Sequence, residues 1–498
     1  MVDRMDRIPS PPAGWLRVVF WMLSAVAAIN ALAFAATTAN WVPTSDNWYF
    51  LERIVYPYAH GNWQLADLLV KRGPLDHAQP LRRLLLLANY EWFDLDFRVE
   101  AVFAVVAGIA SFGLLCWCMR REVRAALPWS GVACVALAAV YFSLSSPIVF
   151  TWSLLTLGFT SHFFLFLWLL AAWAALEVPS PRRMAILVLS TFVFALVADD
   201  TAMVAAIAAI VAAAVYGWGD RAGVRRAFLH ALACIVGIGL YLAFYKAAAP
   251  AAIGAPAREA ALHGAEGGGL FAQAGQAWQW IMVPLSSALV HRTTLRAWFG
   301  DAGGVATVAL GLAGALAHAW FWKQAFAGAR NRTAYMATTI MLLFYGLVAG
   351  IVIGRVSKYG SEYLWQPRYA FIYRWHLVAL LMMVVAQWQR LAASRPDAPW
   401  PRRIVVAACA AVVGLQVVLG ASAWRDAKYM RHASANMAAQ LLAMGDAPPG
   451  RVPGKCAAQL IVCRYKDARR QRLIGFLRGQ RLSVFSAEVR ARNGYPED

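Results

Sequence analysis

The first residue placed to do chemistry is Asp46, in Ser45-Asp46-Asn47, just beyond the first long apolar run. Trp48, Leu51, Val55 and Tyr58 follow at helical spacing, so Asp46 has two readings. It caps that helix by accepting free backbone N–H groups, or it is a carboxylate held at the lipid–water boundary as a general base. One residue is able to hold both roles. Asp76-His77 is a second pair, read either as a proton shuttle or acceptor contact or as a solvated turn after Pro74. Asp199-Asp200 interrupts a long apolar stretch. Adjacent carboxylates at a membrane edge are costly unless they cap the next helix, coordinate a cation or face a watery cavity. Capping through Asp200 and Thr201 is the default expectation.

A basic cluster comes later: Arg355, Lys358, Glu362, Arg368, Tyr369 and Arg374 bracket the start of another apolar run. Guanidinium groups hold phosphate through paired hydrogen bonds, so Arg355, Arg368 and Tyr369 are the expected site for a lipid phosphate. The alternative is anchoring to anionic phospholipid. His291, Arg292 and Arg296 would extend the same basic field. His162 stands alone in an apolar run, where a hydrogen bond between helices is the ordinary role. The sequence has no zinc-ligand spacing, Walker loop, nucleophile elbow or dinucleotide fingerprint.

Composition says what must position these residues. Of 498 residues, 61% are hydrophobic and 14% charged, and the mean hydropathy is +0.53. A soluble domain carries roughly 25% charged residues, so this chain belongs in lipid. Apolar runs of about 17–22 residues, enough to cross a bilayer as helices, predict spans at 18–36, 99–119, 129–146, 154–175, 184–198, 203–218, 229–245, 305–322, 335–353, 370–388 and 404–424. The formal charge of +20 is parcelled mostly into short alternate loops, such as Arg120-Arg121, Arg182-Arg183 and Arg225-Arg226. Those loops are expected in the cytoplasm with the amino terminus, and nothing accompanies them that would bind nucleic acid.

The expectation is an all-α integral membrane protein of about eleven spans. Residues 1–424 form the polytopic module, and 37–98 and 246–304 are its large external segments. The first of these is expected to form amphipathic helices lying in the headgroup layer. The apolar segment 278–290 contains Pro284 and is too short to cross, so it is expected to be interfacial or re-entrant. The tail, 425–498, carries 14 Lys and Arg against 6 Asp and Glu and reads as a small external basic domain with a β-like Leu482-Ser483-Val484-Phe485. Cys456 and Cys463 either form a short-loop disulfide there or stay as two unpaired small residues.

This layout resembles the GT-C superfamily of polytopic glycosyltransferases, and its local pieces are similar to those of bacterial members. They are Ser45-Asp46-Asn47-Trp48, Asp76-His77 through Pro80-Leu81-Arg82-Arg83-Leu84, and Gly354-Arg355 followed by Pro367-Arg368-Tyr369. The resemblance implies transfer of a sugar from a polyprenyl-phosphate donor to a lipid, glycan or protein acceptor, on the external (periplasmic) face of a bacterial inner membrane. Asp46 would deprotonate the acceptor hydroxyl, and Arg355 and Arg368 would stabilise the departing lipid phosphate. Many members pair two acidic residues after the first span, whereas here Asn47 follows Asp46. That leaves no cofactor certain: a divalent cation is possible, but a metal-free mechanism is favoured. An O-antigen polymerase or ligase is the runner-up, although its largest external loop would usually come late. A transporter ranks below, because mid-span charges are nearly absent.

Overall fold

In lipid an apolar run of about twenty residues has to satisfy its backbone internally, and the helix does so within one segment. The computed structural model describes residues 14–71, 77–126, 129–249, 273–393, 400–448, 451 and 455–495; Asp76 lies outside them. Among the described residues the chain is helical, with no strand, and ten helices are long and apolar enough to cross a membrane. They coincide with ten of the expected spans. The remaining one, expected over 129–146, is a shorter apolar helix, Ser130–Tyr141. Its end has a local cause. The Ser145 N–H donates to Ser143 Oγ at 3.1 Å, and that hydroxyl in turn bonds Gln416, so side chains replace helical partners just before Pro147.

Small residues set how closely the spans pack. Helix Asp200–Gly217 buries Ala202, Ala205, Ala209, Ala212 and Ala213 against its neighbours Arg221–Ala248 and Arg332–Ile351. A Cβ at Gly346 would come within 2.4 Å of Val204, and Gly217 meets the backbone of Gly223. Without a hydrophobic drive between helices in lipid, such close approach supplies the dispersion contact. The segment 278–290 forms helix Ala277–Ser287, about 16 Å long at 1.5 Å per residue and too short to cross. Met282 and Leu285 pack it on Gly311 and Gly314 of helix Gly303–Ala327.

Outside the bundle, two expectations are corrected. The first connection does form helical segments, Asn47–Phe50 running through a π turn into Tyr56–Ala59, and Pro80–Phe93. Their apolar sides, however, are not spread along the headgroups. Trp41, Trp48, Leu51 and Val55 are buried in a second core with Met437, Leu441, Leu473, Leu477 and Val484 of the tail. The helix of the last expected span makes this contact because Trp400–Asp446 runs 47 residues, about 70 Å, well beyond the roughly 30 Å of hydrocarbon. Residues 482–485 are not β-like: Ser483–Phe485 is a single 3-10 turn, and Ser483, at φ 52°, donates its N–H to Asp94 O at 2.6 Å. Cys456 and Cys463 are joined as a disulfide. Glu52, on the first connection, accepts from Arg469 Nε at 3.0 Å and pairs with Arg472, both on helix Asp467–Gly479.

Trp48 has no exposed surface in this second core. Trp48→Ala should cost about 3–5 kcal/mol of local stability. Limited trypsin digestion in detergent is the check: the basic tail is cleaved faster, while cleavage of the membrane bundle is unchanged.

Candidate functional site

The helix Pro181–Ala198 ends at Asp199, and Asp200 opens the next span. Asp199 sits at φ 46°, ψ −121°, a region an L-residue occupies at a cost on the order of 1–3 kcal/mol unless its surroundings hold it there. They do. Asp199 has no exposed surface, and its carboxylate accepts from Tyr241 Oη at 2.6 Å and from the Ala78 N–H at 2.8 Å. Lys71 Nζ lies 2.7 Å from the same Oδ2 and 3.9 Å from Asp200, and it also faces the Tyr245 ring. His77 Nδ1 is 3.1 Å from Asp200 Oδ2.

Asp199 occupies the cap position of helix Asp200–Gly217 without making a side-chain cap bond. Instead its carboxylate fastens Lys71 and Ala78 of the first connection onto the bundle. His77, Asp199 and Asp200 also bring one ligand atom each within 4.8 Å of one another, so a cation could be shared among them. It would have to displace the Lys71 ammonium and share Asp199 Oδ2 with the Ala78 N–H. Lys71 and Tyr241 are absent from the residues the sequence singled out. Lys71 reads there as part of a Lys-Arg-Gly-Pro turn, and Tyr241 as one aromatic in an apolar span.

His77 also lines a narrow cleft with Asn47, Gln79, Arg82, Arg83 and Glu100. Arg82 Nη1 donates to the Leu154 carbonyl at 3.1 Å, and Arg83 clamps the carbonyls of Asp67, Leu68 and Val70. Asp46, beside Asn47, is half-buried at the N-cap of Asn47–Phe50, again with no side-chain cap bond. The preceding residue ties it to the tail, since the Ser45 N–H donates to Gln459 O at 2.8 Å. Gln459 lines a second, open groove together with Thr38, Ser146, Pro367, Asp426 and Met430.

Pro367 leads into the basic cluster. Arg355, in a π turn at Val352–Val356, and Arg368 both place their charge near Tyr369. Arg368 bonds the Tyr363 hydroxyl and stacks over the Tyr363 and Tyr369 rings. The loop is pinned from outside the cluster: Arg292 pairs with Glu362 at 2.6 Å, and His291 Nε2 lies 2.9 Å from Trp365 O. Burial pushes His291 below the usual histidine value, against the opposing pull of that carbonyl. Val204 and Gly346 fix how this cluster stands relative to Asp200. From that contact Asp200 is about 6 Å and Arg355 about 13 Å further along their helices, in the same direction. His162 bonds Tyr141 Oη at 2.9 Å, the satisfied interhelical contact expected of it.

Neither a scan of known protein families nor a search of curated proteins finds a match to this chain.

Burial disfavours the charged form of Lys71, but the hydrogen bond and charge of Asp199 outweigh it and hold the ammonium above the usual lysine value. The stability Lys71 contributes is therefore complete below 10.5 and is lost as pH rises through its raised folded value. Lys71→Met should remove about 3 kcal/mol at neutral pH by leaving Asp199 without its cation, and Asp199→Asn on top of it should restore most of that. Thermal unfolding of the single and double variants, from neutral to strongly alkaline pH, checks both expectations.

Proposed function

We propose that this chain is a membrane glycosyltransferase of the GT-C type, moving a sugar from a polyprenyl-phosphate donor to a lipid, glycan or protein acceptor. In this reading the chain crosses a bacterial inner membrane eleven times, with Ser130–Tyr141 as the third crossing. Short basic loops lie in the cytoplasm, while the first connection and the tail lie outside. Asp46 is the general base, and Arg355 and Arg368, with Tyr369, hold the phosphate of the donor as it leaves. The Asp199–Asp200 pair with Lys71 keeps His77 at the cleft.

The observation that carries this reading is the open groove. Gln459, whose carbonyl accepts from the residue before Asp46, and Pro367, the residue before Arg368, both line it. General-base attack with a phosphate leaving group requires a carboxylate and cationic groups at one site, and the chain neighbours of Asp46 and Arg368 lie against or in this lining. The helix of the last expected span lines the groove with Leu419, Ala423 and Met430 and so offers an apolar wall for an isoprenoid chain. The charge of Lys71 already neutralises Asp199, which fits chemistry without a divalent cation.

Transfer of radiolabelled sugar from polyprenyl-phosphate donors to membrane lipid tests the proposal. Asp46→Asn should lower transfer at least about a hundredfold in a protein that remains folded. Arg368→Gln should lower it by about ten- to a thousandfold through the loss of one charge-stabilising donor. Unchanged transfer in Asp46→Asn would reduce Asp46 to a structural residue and sink its role as the base.

A further inference from the structure

One buried cation in the bundle has nothing to answer it. Arg374 lies seven residues into the span Pro367–Trp388, about 10 Å along the helix, and is 3% exposed. Its Nε, Nη1 and Nη2 are all buried without a hydrogen-bond partner. No other buried guanidinium among the described residues leaves all three nitrogens unmatched. Arg82 approaches from the first connection with its own Nε buried and unpartnered, although its Nη1 is spent on the Leu154 carbonyl. The helix that carries His162 lies between them: Arg82 bonds the Leu154 carbonyl near its start, and the His162 ring meets Phe371 and Trp375, which flank Arg374. That ring stacks on Phe371, one turn before Arg374, at 4.8 Å, and meets the edge of Trp375 at 4.6 Å.

Two guanidinium groups in an apolar setting repel each other and forgo their hydration, and a buried charge normally persists only when paired. Chain groups supply no counter-charge to Arg374 among the described residues. Arg82, Leu154 and Leu157 line the cleft that also carries His77 and Asn47, and Phe371 packs against Gly158 next to Leu157. We infer that Arg374 and Arg82 form a buried anion site that takes a phosphate ester. The chemistry selects that class of ligand. A tetrahedral anion of charge −1 to −2 offers several oxygens to two planar forks and cancels both charges at once. The site is separate from the Arg355–Arg368 cluster, whose Arg368 already has the Tyr363 hydroxyl and two rings as neighbours. It stands whether or not the chain transfers sugar.

The full chain in a maltoside detergent, which carries no phosphate, tests the site by thermal unfolding. The probes are inorganic phosphate and, separately, phosphatidic acid. At least one should raise the unfolding temperature of the wild type. A response to inorganic phosphate assigns a free phosphate or small ester, and a response to phosphatidic acid alone assigns a lipid-borne one. Arg374→Met should weaken that binding about tenfold to a hundredfold, the loss expected for a charge-assisted contact. The same variant without ligand should unfold no earlier than the wild type, because an uncompensated buried charge has been removed. Arg82→Gln should weaken binding as well. No response of the wild type to either probe overturns the inference. So does unchanged binding in Arg374→Met, or an early-unfolding Arg374→Met together with unchanged binding in Arg82→Gln.

Discussion

A carboxylate with no exposed surface, set at the break between two membrane spans, is the constraint on which the external architecture depends. Asp199 cannot be left to solvent, and it sits in a backbone region that favours glycine. It is held by groups from two other parts of the chain: Tyr241 from a neighbouring span, and Lys71 with the Ala78 N–H from the first connection. Satisfying that one carboxylate fixes where Lys71 and Ala78 lie. His77 then falls beside Asp200, and the cleft between His77 and Asn47 acquires its shape. In lipid, removing one partner of such a network strands a charge, which is why its members act together.

How much of this was legible in the sequence differs by level. The spans were, because a run of about twenty apolar residues admits one solution in lipid and the pattern is local. The departure at 129–146 came from Ser143 and Gln416, a side-chain pair far apart in sequence. The amphipathic runs after Trp41 were also visible, but what covers them was not. An apolar stripe on a short helix looks the same whether it meets headgroups or the face of a distant tail helix. Asp199-Asp200 stood out as a costly pair in an apolar stretch. Its partners did not, since a lysine beside Gly-Pro and a tyrosine inside a span carry no local mark of their role.

The second core follows from length. The 47-residue helix of the last expected span cannot be contained by the bilayer, so Met437, Leu441 and Met444 emerge on a rod that needs a partner. The apolar sides of the first connection supply it, and Glu52 with Arg469 and Arg472 adds charge-paired register at the rim. The first and last parts of the chain thereby close over one end of the bundle. The Ser45–Gln459 bond is a small piece of that closure, yet it brings the segment bearing Asp46 to the groove.

The bundle treats its two kinds of buried charge in opposite ways, and the contrast separates structural from functional residues. Asp199 is compensated from within by an ammonium, a hydroxyl and a backbone N–H, so the chain alone explains its burial. Arg374 is compensated by none of the described residues, although a guanidinium carries five donors and a charge that burial penalises heavily. A sequence can retain such a residue only if something outside the chain repays the penalty, at least for part of the protein's working cycle. By the same reasoning, His162 keeps its hydrogen bond to Tyr141 and needs no ligand of its own, and its ring meets Phe371 and Trp375, which flank Arg374. Burial alone therefore does not mark a working residue in this bundle; a whole buried charge without an internal partner does.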